Sequence, residues 1–117
     1  MGAQSTFIIP DTLRSIDSAT FTGTYQAVGT PLLHGARIVR FVNNSTVLVT
    51  ISWDGINANE VVRPGSDFTL NVSANREVSS DFFEVRWNTQ FYVMGTAGTG
   101  LFYISCYYGN ISNPVVA

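Results

Sequence analysis

The residue types that carry most enzyme chemistry are thinly spread along this chain. The one histidine is His34, within Leu32-Leu33-His34-Gly35. A nucleophilic serine needs a base within hydrogen-bond reach and a sharp strand-to-helix turn to present it. Ser45, Ser52 and Ser105 fall in a turn or in strand-like runs, so no triad is expected, and His34 reads as a turn residue bonded to backbone. Asp54, Asn57, Asn59 and Glu60 bring four oxygen-bearing side chains into one short stretch, which is calcium-type donor chemistry. Their spacing matches no known calcium loop, and Asp54-Gly55 with Asn57 is ordinary hairpin chemistry, so no metal is expected. Asp81 and Glu84 flank Phe82-Phe83 without the marks of a paired acid and base. Gly95 to Gly100 holds glycines but no following helix or lysine, which a phosphate loop requires. Cys106 has no partner for a disulfide and sits in an alternating run, where a thiol behaves as a small buried hydrophobe. No catalytic, cofactor-binding or metal-ligating residue is assigned, and the chain reads as a non-enzyme.

Composition narrows the class further. The 117 residues make one domain, large enough to bury a core without staples. Apolar residues account for 45 % and charged residues for only 12 %, about half the usual charged share. All six basic residues are arginine, the cation favoured at interfaces, where lysine is depleted. A net charge of −2 without a basic cluster argues against phosphate-directed binding of nucleic acid. Met1-Gly2-Ala3-Gln4 lacks the basic and apolar regions of a signal peptide, and no run approaches about 18 apolar residues, so no membrane is expected. The Asn-x-Ser/Thr triplets at Asn43, Asn44, Asn71 and Asn110 are read as idle matches in that context.

What positions the side chains is a period of two. Val47, Val49, Ile51 and Trp53 fall on one side of an extended run, and Leu48, Thr50 and Ser52 on the other. Asp54-Gly55 then turns the chain. Phe68, Leu70 and Val72 alternate inward after Pro64-Gly65, and Phe102, Ile104 and Cys106 alternate with Tyr103, Ser105 and Tyr107 in the last run. Further strands are expected over Phe21–Val28, Arg37–Val42, Glu60–Val62, Phe82–Arg86 and Gln90–Met94, with Asn43-Asn44-Ser45 as a turn. About eight short strands predict an all-β, single-domain antiparallel β-sandwich, a jelly roll over residues 21–109. Residues 1–20 read as an N-terminal arm, with one helical turn capped by Asp11, or alternatively as an edge strand of the domain; residues 110–117 read as a C-terminal tail.

Four stretches, Val49-Thr50-Ile51-Ser52-Trp53-Asp54-Gly55, Arg63-Pro64-Gly65-Ser66-Asp67-Phe68-Thr69-Leu70-Asn71, Thr89-Gln90-Phe91-Tyr92-Val93 and Thr99-Gly100-Leu101-Phe102-Tyr103-Ile104-Ser105, follow one another in an order that resembles small tailed-phage virion proteins. The likeness covers roughly residues 40–109 and departs at Asn88, where the pattern has glycine. It resembles jelly-roll head decoration (cement) proteins, and it implies a capsid-surface location after synthesis in a host cytoplasm, with the major capsid protein as partner and a homo-oligomeric state. The resemblance carries no catalytic residue.

The expectation is therefore a structural virion protein that binds between capsid subunits. The residues expected to reach partners are Phe7, Ile8, Ile9, Leu13 and Ile16 of the arm, the outward Tyr103 and Tyr107, and Val115 and Val116 of the tail. The alternative is a tail or fibre module that joins other tail proteins or binds a host glycan through a patch containing Trp87, Tyr92 or Tyr103.

Overall fold

The computed structural model of the chain describes residues 5–71 and 85–112. The strands in order are β1 (Ser5–Pro10), β2 (Arg14–Asp17), β3 (Gln26–Ala27), β4 (Ala36–Ser45), β5 (Val49–Ser52), β6 (Glu60–Val62), β7 (Asp67–Asn71), β8 (Tyr92–Met94) and β9 (Gly100–Ser112). A single turn of 3-10 helix, Ser18–Thr20, follows β2, and the Asp17 side chain caps it by accepting the Ala19 N–H at 3.0 Å.

Their pairing follows from one fold-back. Asp54-Gly55 lies in the bend between β5 and β6, and every pair outward from it is antiparallel: β5 with β6, β4 with β7, β3 with β8 and β2 with β9. Rolling that four-layer hairpin over itself gives two sheets, one ordered β2-β9-β4-β7 and the other β3-β8-β5-β6. This is the jelly-roll arrangement of eight strands in a two-sheet sandwich. β1 is additional and pairs with the far end of β9.

The turns are built from the residues they need. Gly65 holds φ +75°, and the Ser66 N–H returns to the Arg63 carbonyl at 3.1 Å, so Pro64-Gly65 is a type II turn. Gly100 opens β9 at φ +101°, where any side chain would strike the Asn44 carbonyl oxygen.

The inner faces meet in a core that includes Val39, Phe41, Val49, Ile51, Phe91, Val93, Phe102, Ile104 and Cys106. Phe41 of the first sheet meets Phe91, just before β8, edge to face, ring centroids 5.4 Å apart. Asn43 is also fully buried and bridges the sheets. Its amide donates to the Val47 and Val62 carbonyls at 2.8 and 2.9 Å, and its oxygen accepts from Ser45 N–H and Oγ.

Several expectations change here. Asn43-Asn44-Ser45 does not turn the chain; it completes β4, with the buried Asn43 amide satisfied internally. The strand expected over Phe21–Val28 shrinks to Gln26–Ala27, because Phe21 and Val28 anchor a coil in the core. Ser52, placed outward by alternation, is fully buried, since its hydroxyl organises the following bend. Trp53 is 38 % exposed at the sandwich rim and meets the core residue Phe91 edge to face, at 5.3 Å. Val85 makes an isolated bridge to Ala36 where a strand over Phe82–Arg86 was expected; Val72 and Phe82–Glu84 lie outside the described residues.

Candidate assembly surface

The segment read as an arm is sheet from Ser5 onward, which takes the edge-strand alternative. β2 pairs with β9 from Arg14 opposite Ile104 to Asp17 opposite Leu101. The helical turn expected over residues 11–17 is absent because Arg14 and Ile16 alternate inward as strand residues. Arg14 is 3 % exposed, and burial of a guanidinium requires that its donors be used. Nε donates to the Thr30 carbonyl at 2.7 Å, Nη1 to the Thr12 carbonyl at 2.8 Å and Nη2 to the Pro31 carbonyl at 3.0 Å. Asp11 lies 3.7 Å from Nη2 and supplies the countercharge. Gly29, at φ +63°, lets the chain pass so close that a Cβ there would meet Arg14 Cγ at 2.7 Å. Arg14 thus locks β2 to the loop before β4, and nothing in the apolar reading of residues 5–16 signalled it. The signal was available: Arg14 stands two residues from Ile16, on the same side of a strand.

β1 continues along the same edge of β9, from Pro10 opposite Tyr107 to Ser5 opposite Ser112. β4 pairs with β9 only as far as Ala36 opposite Tyr108. Beyond that point β9, which runs on to Ser112 through the boundary expected at residue 109, has among the described residues β1 alone beside it. β1 and the far end of β9 therefore leave the sandwich together as a two-stranded ribbon. At its base His34 stacks on Tyr108, ring centroids 3.9 Å apart.

Register fixes which expected contact residues share a face. Tyr103 stands between Val42 and Ser15, and Tyr107 between Ile38 and Pro10, all on the outer face of the first sheet. Two residues further along, Ile8 opposite Gly109 has the same parity and is 63 % exposed. Leu13 is 56 % exposed where β1 breaks into β2, beside a cavity of about 290 Å³ lined by Pro10, Asp11, Leu13, Ser105, Cys106 and Tyr107. Ile8, Leu13, Tyr103 and Tyr107 are thus brought onto one surface, joined by Ile38, Val42 and Leu101, which sequence reading did not single out. Ile9 has the opposite parity, and Phe7 lies opposite Asn110 in the ladder. Ile16 packs against the core and is not presented to a partner. Val115 and Val116 lie outside the described residues. The ion pair on this face, Arg40 with Asp67 at 2.9 Å, has both side chains about half exposed and contributes little.

Asp81 and Glu84 lie outside the described residues; the acidic stretch from Asp54 to Glu60 is spent on structure. Both Asp54 oxygens accept within the β5–β6 bend, Oδ1 from the Asn57 and Ile56 N–H groups and the Ser52 hydroxyl, Oδ2 from the Asn57 amide, each at 2.8 Å. Those donors, the Asn57 N–H foremost, hold its carboxyl well below the usual carboxylate range. Asn59 Oδ1 accepts the Trp53 N–H and Glu60 Oε1 the Val61 N–H, so these side chains are engaged with neighbouring backbone. Among the described residues no group of three or more His, Cys, Asp or Glu side chains could hold a metal ion, and no helix is long and apolar enough to cross a membrane. The Cys106 thiol is pushed up to about 11, by burial above all. Of the residues named for a glycan patch, Tyr92 lies on β8 of the second sheet, Tyr103 on β9 of the first, and Trp87 occupies a loop.

Comparison with protein-family models, with curated proteins and with solved structures found no match.

Proposed function

We propose that this chain is a structural subunit of a phage particle, a capsid decoration protein that seats the outer face of its first sheet on neighbouring capsid subunits. The observation that carries this reading is the apolar surface shared by Ile8, Leu13, Ile38, Val42, Leu101, Tyr103 and Tyr107. A sandwich needs one apolar face per sheet to fold, and the inner face already supplies it. A second face bearing tyrosines and aliphatic side chains, with one exposed ion pair, Arg40–Asp67, set among them, is suited to burial against another protein. The order of turn and strand motifs that resembles tailed-phage virion proteins supplies the kind of assembly.

The test is co-sedimentation with phage heads assembled without the protein. Wild-type chain is expected to pellet with the heads. Tyr107→Asp and Val42→Asp, which place charge on the outer face, are expected to stay in the supernatant with unchanged melting temperatures. Heads that bind neither wild type nor variants, or bind all three equally, would overturn the reading.

A second reading rests on a groove of about 380 Å³ between the sheets, lined by Phe41, Trp53, Asn59, Glu60, Phe68 and Leu70. A half-exposed tryptophan beside amide and carboxylate oxygens is the kind of platform on which a sugar ring stacks, as a fibre module would require. A glycan array that binds wild type but not Trp53→Ala would favour it over capsid decoration; an array without hits removes it.

A further inference from the structure

The eight-strand roll leaves β1 over. Among the described residues nothing pairs with its outer edge, and past Ile9 opposite Tyr108 the ribbon is only two strands wide. Two-stranded ribbons are marginal in water, and open edges are normally guarded by charge, by proline or by brevity. The other edges of this sandwich are guarded in that way. β7 carries Asp67, β6 carries Glu60 and has three residues, β3 has two, and β2 has four with Asp17 at its end. β1 has six residues, and residues 1–10 hold no charge; only Pro10, at the inner end, interrupts it.

We propose that β1 pairs antiparallel with β1 of a second copy about a two-fold axis, joining two five-stranded sheets into one. Charge selects a like partner. A two-fold axis at an edge brings residues near their own copies, which at β7 or β6 would set Asp67 against Asp67 or Glu60 against Glu60. β1 has no such conflict. Parity sets the register, because residues directly opposite one another in a continuous sheet share a face. Ile8 opposite Ile8 of the second copy satisfies this and covers the most exposed apolar side chain described on the ribbon. Thr6 then lies opposite Pro10, whose missing N–H ends the ladder there. One short strand pair covers less surface than a standard stable interface, so the free dimer is weak and prevails where copies are held side by side.

This pairing goes beyond particle attachment and is read on isolated protein. Paired Cα atoms in an antiparallel ladder lie within disulfide reach, and Cys106 is buried, so a thiol introduced at position 8 reports alone. Under mild oxidation Ile8→Cys is expected to form a disulfide dimer about tenfold faster or more than Leu33→Cys, because pairing raises the local concentration of the two thiols. Position 33 is the matched control, 64 % exposed against 63 %. Ile8→Lys, which sets like charges on the axis, is expected to abolish the concentration dependence of wild-type sedimentation without lowering the melting temperature. Equal cross-linking rates, or sedimentation that Ile8→Lys leaves unchanged, overturn the proposal. Attachment to heads is read from Tyr107→Asp, so the two proposals fail separately.

Discussion

Trp53 and Phe91 touch edge to face, yet their removal should cost different amounts. Phe91 is buried between the sheets and also meets Phe41, so Phe91→Ala leaves a cavity and should destabilise by about 3–5 kcal/mol. Trp53 is 38 % exposed at the rim, and its loss should cost about 1–2 kcal/mol, since solvent can fill the space. Chemical denaturation of the two variants checks the ranking; equal losses would place Trp53 in the core. Cys106 gives a second test. Burial favours its neutral thiol, so its folded value of about 11 stands above the ordinary 9.0. The stability associated with it is fully present below the ordinary value and is lost as pH rises through the folded one. At pH 8 the native protein should resist an aromatic disulfide reagent that labels the unfolded chain within minutes; rapid labelling of native protein would contradict the burial.

At the scale of elements, the N-terminal segment divides at the Asp11–Leu13 break. β1 is appended to the roll, whereas β2 is its first strand, held by Arg14. Deletion of residues 1–10 should leave the melting temperature nearly unchanged. Deletion of residues 1–17 should unfold the chain, because it removes the strand that covers Phe102 and Ile104 along with the buried guanidinium. Arg14→Ala alone should cost about 3 kcal/mol or more, since it strands Asp11 and three carbonyls that it now satisfies. Thermal melts of the three variants decide the matter, and a folded deletion of residues 1–17 would show that β2 is dispensable. Strand alternation made β4, β5, β7 and β9 legible, because half-buried strands in a sandwich write a period of two into the chain. β2 was not legible, because its inward positions pair an isoleucine with an arginine and so break the hydrophobic code. Asn43 was hidden for the same reason: a buried polar residue satisfied by the Val47 carbonyl of the β4–β5 loop and the Val62 carbonyl of the second sheet is indistinguishable, in sequence, from a turn asparagine.

At the scale of the whole molecule, the pairing nested about Asp54-Gly55 was within reach of sequence, since that turn lies midway between strands that pair in mirror order. The outer face was only half legible. Tyr103 and Tyr107 follow from β9 alone, but Ile38, Val42 and Ile8 join them only once the register across β4, β9 and β1 is known. That composition determines how attachment should respond to salt. A contact made through Arg40 and Asp67 would weaken steeply with ionic strength, because exposed charges are screened within a Debye length. A contact made through tyrosines and aliphatic side chains draws on burial of apolar area, which salt strengthens slightly if at all. Binding of wild-type chain to heads should therefore be nearly constant from about 0.05 to about 0.5 M salt, over which the Debye length falls roughly threefold. Isothermal titration should show a negative heat-capacity change, the robust mark of apolar burial. Removing the ion pair with Arg40→Gln and Asp67→Asn should change the affinity by less than about threefold, the scale of an exposed pair. If instead affinity fell by orders of magnitude across that salt range, the contact would have to be made through charged groups such as Arg40 and Asp67 rather than through the tyrosines.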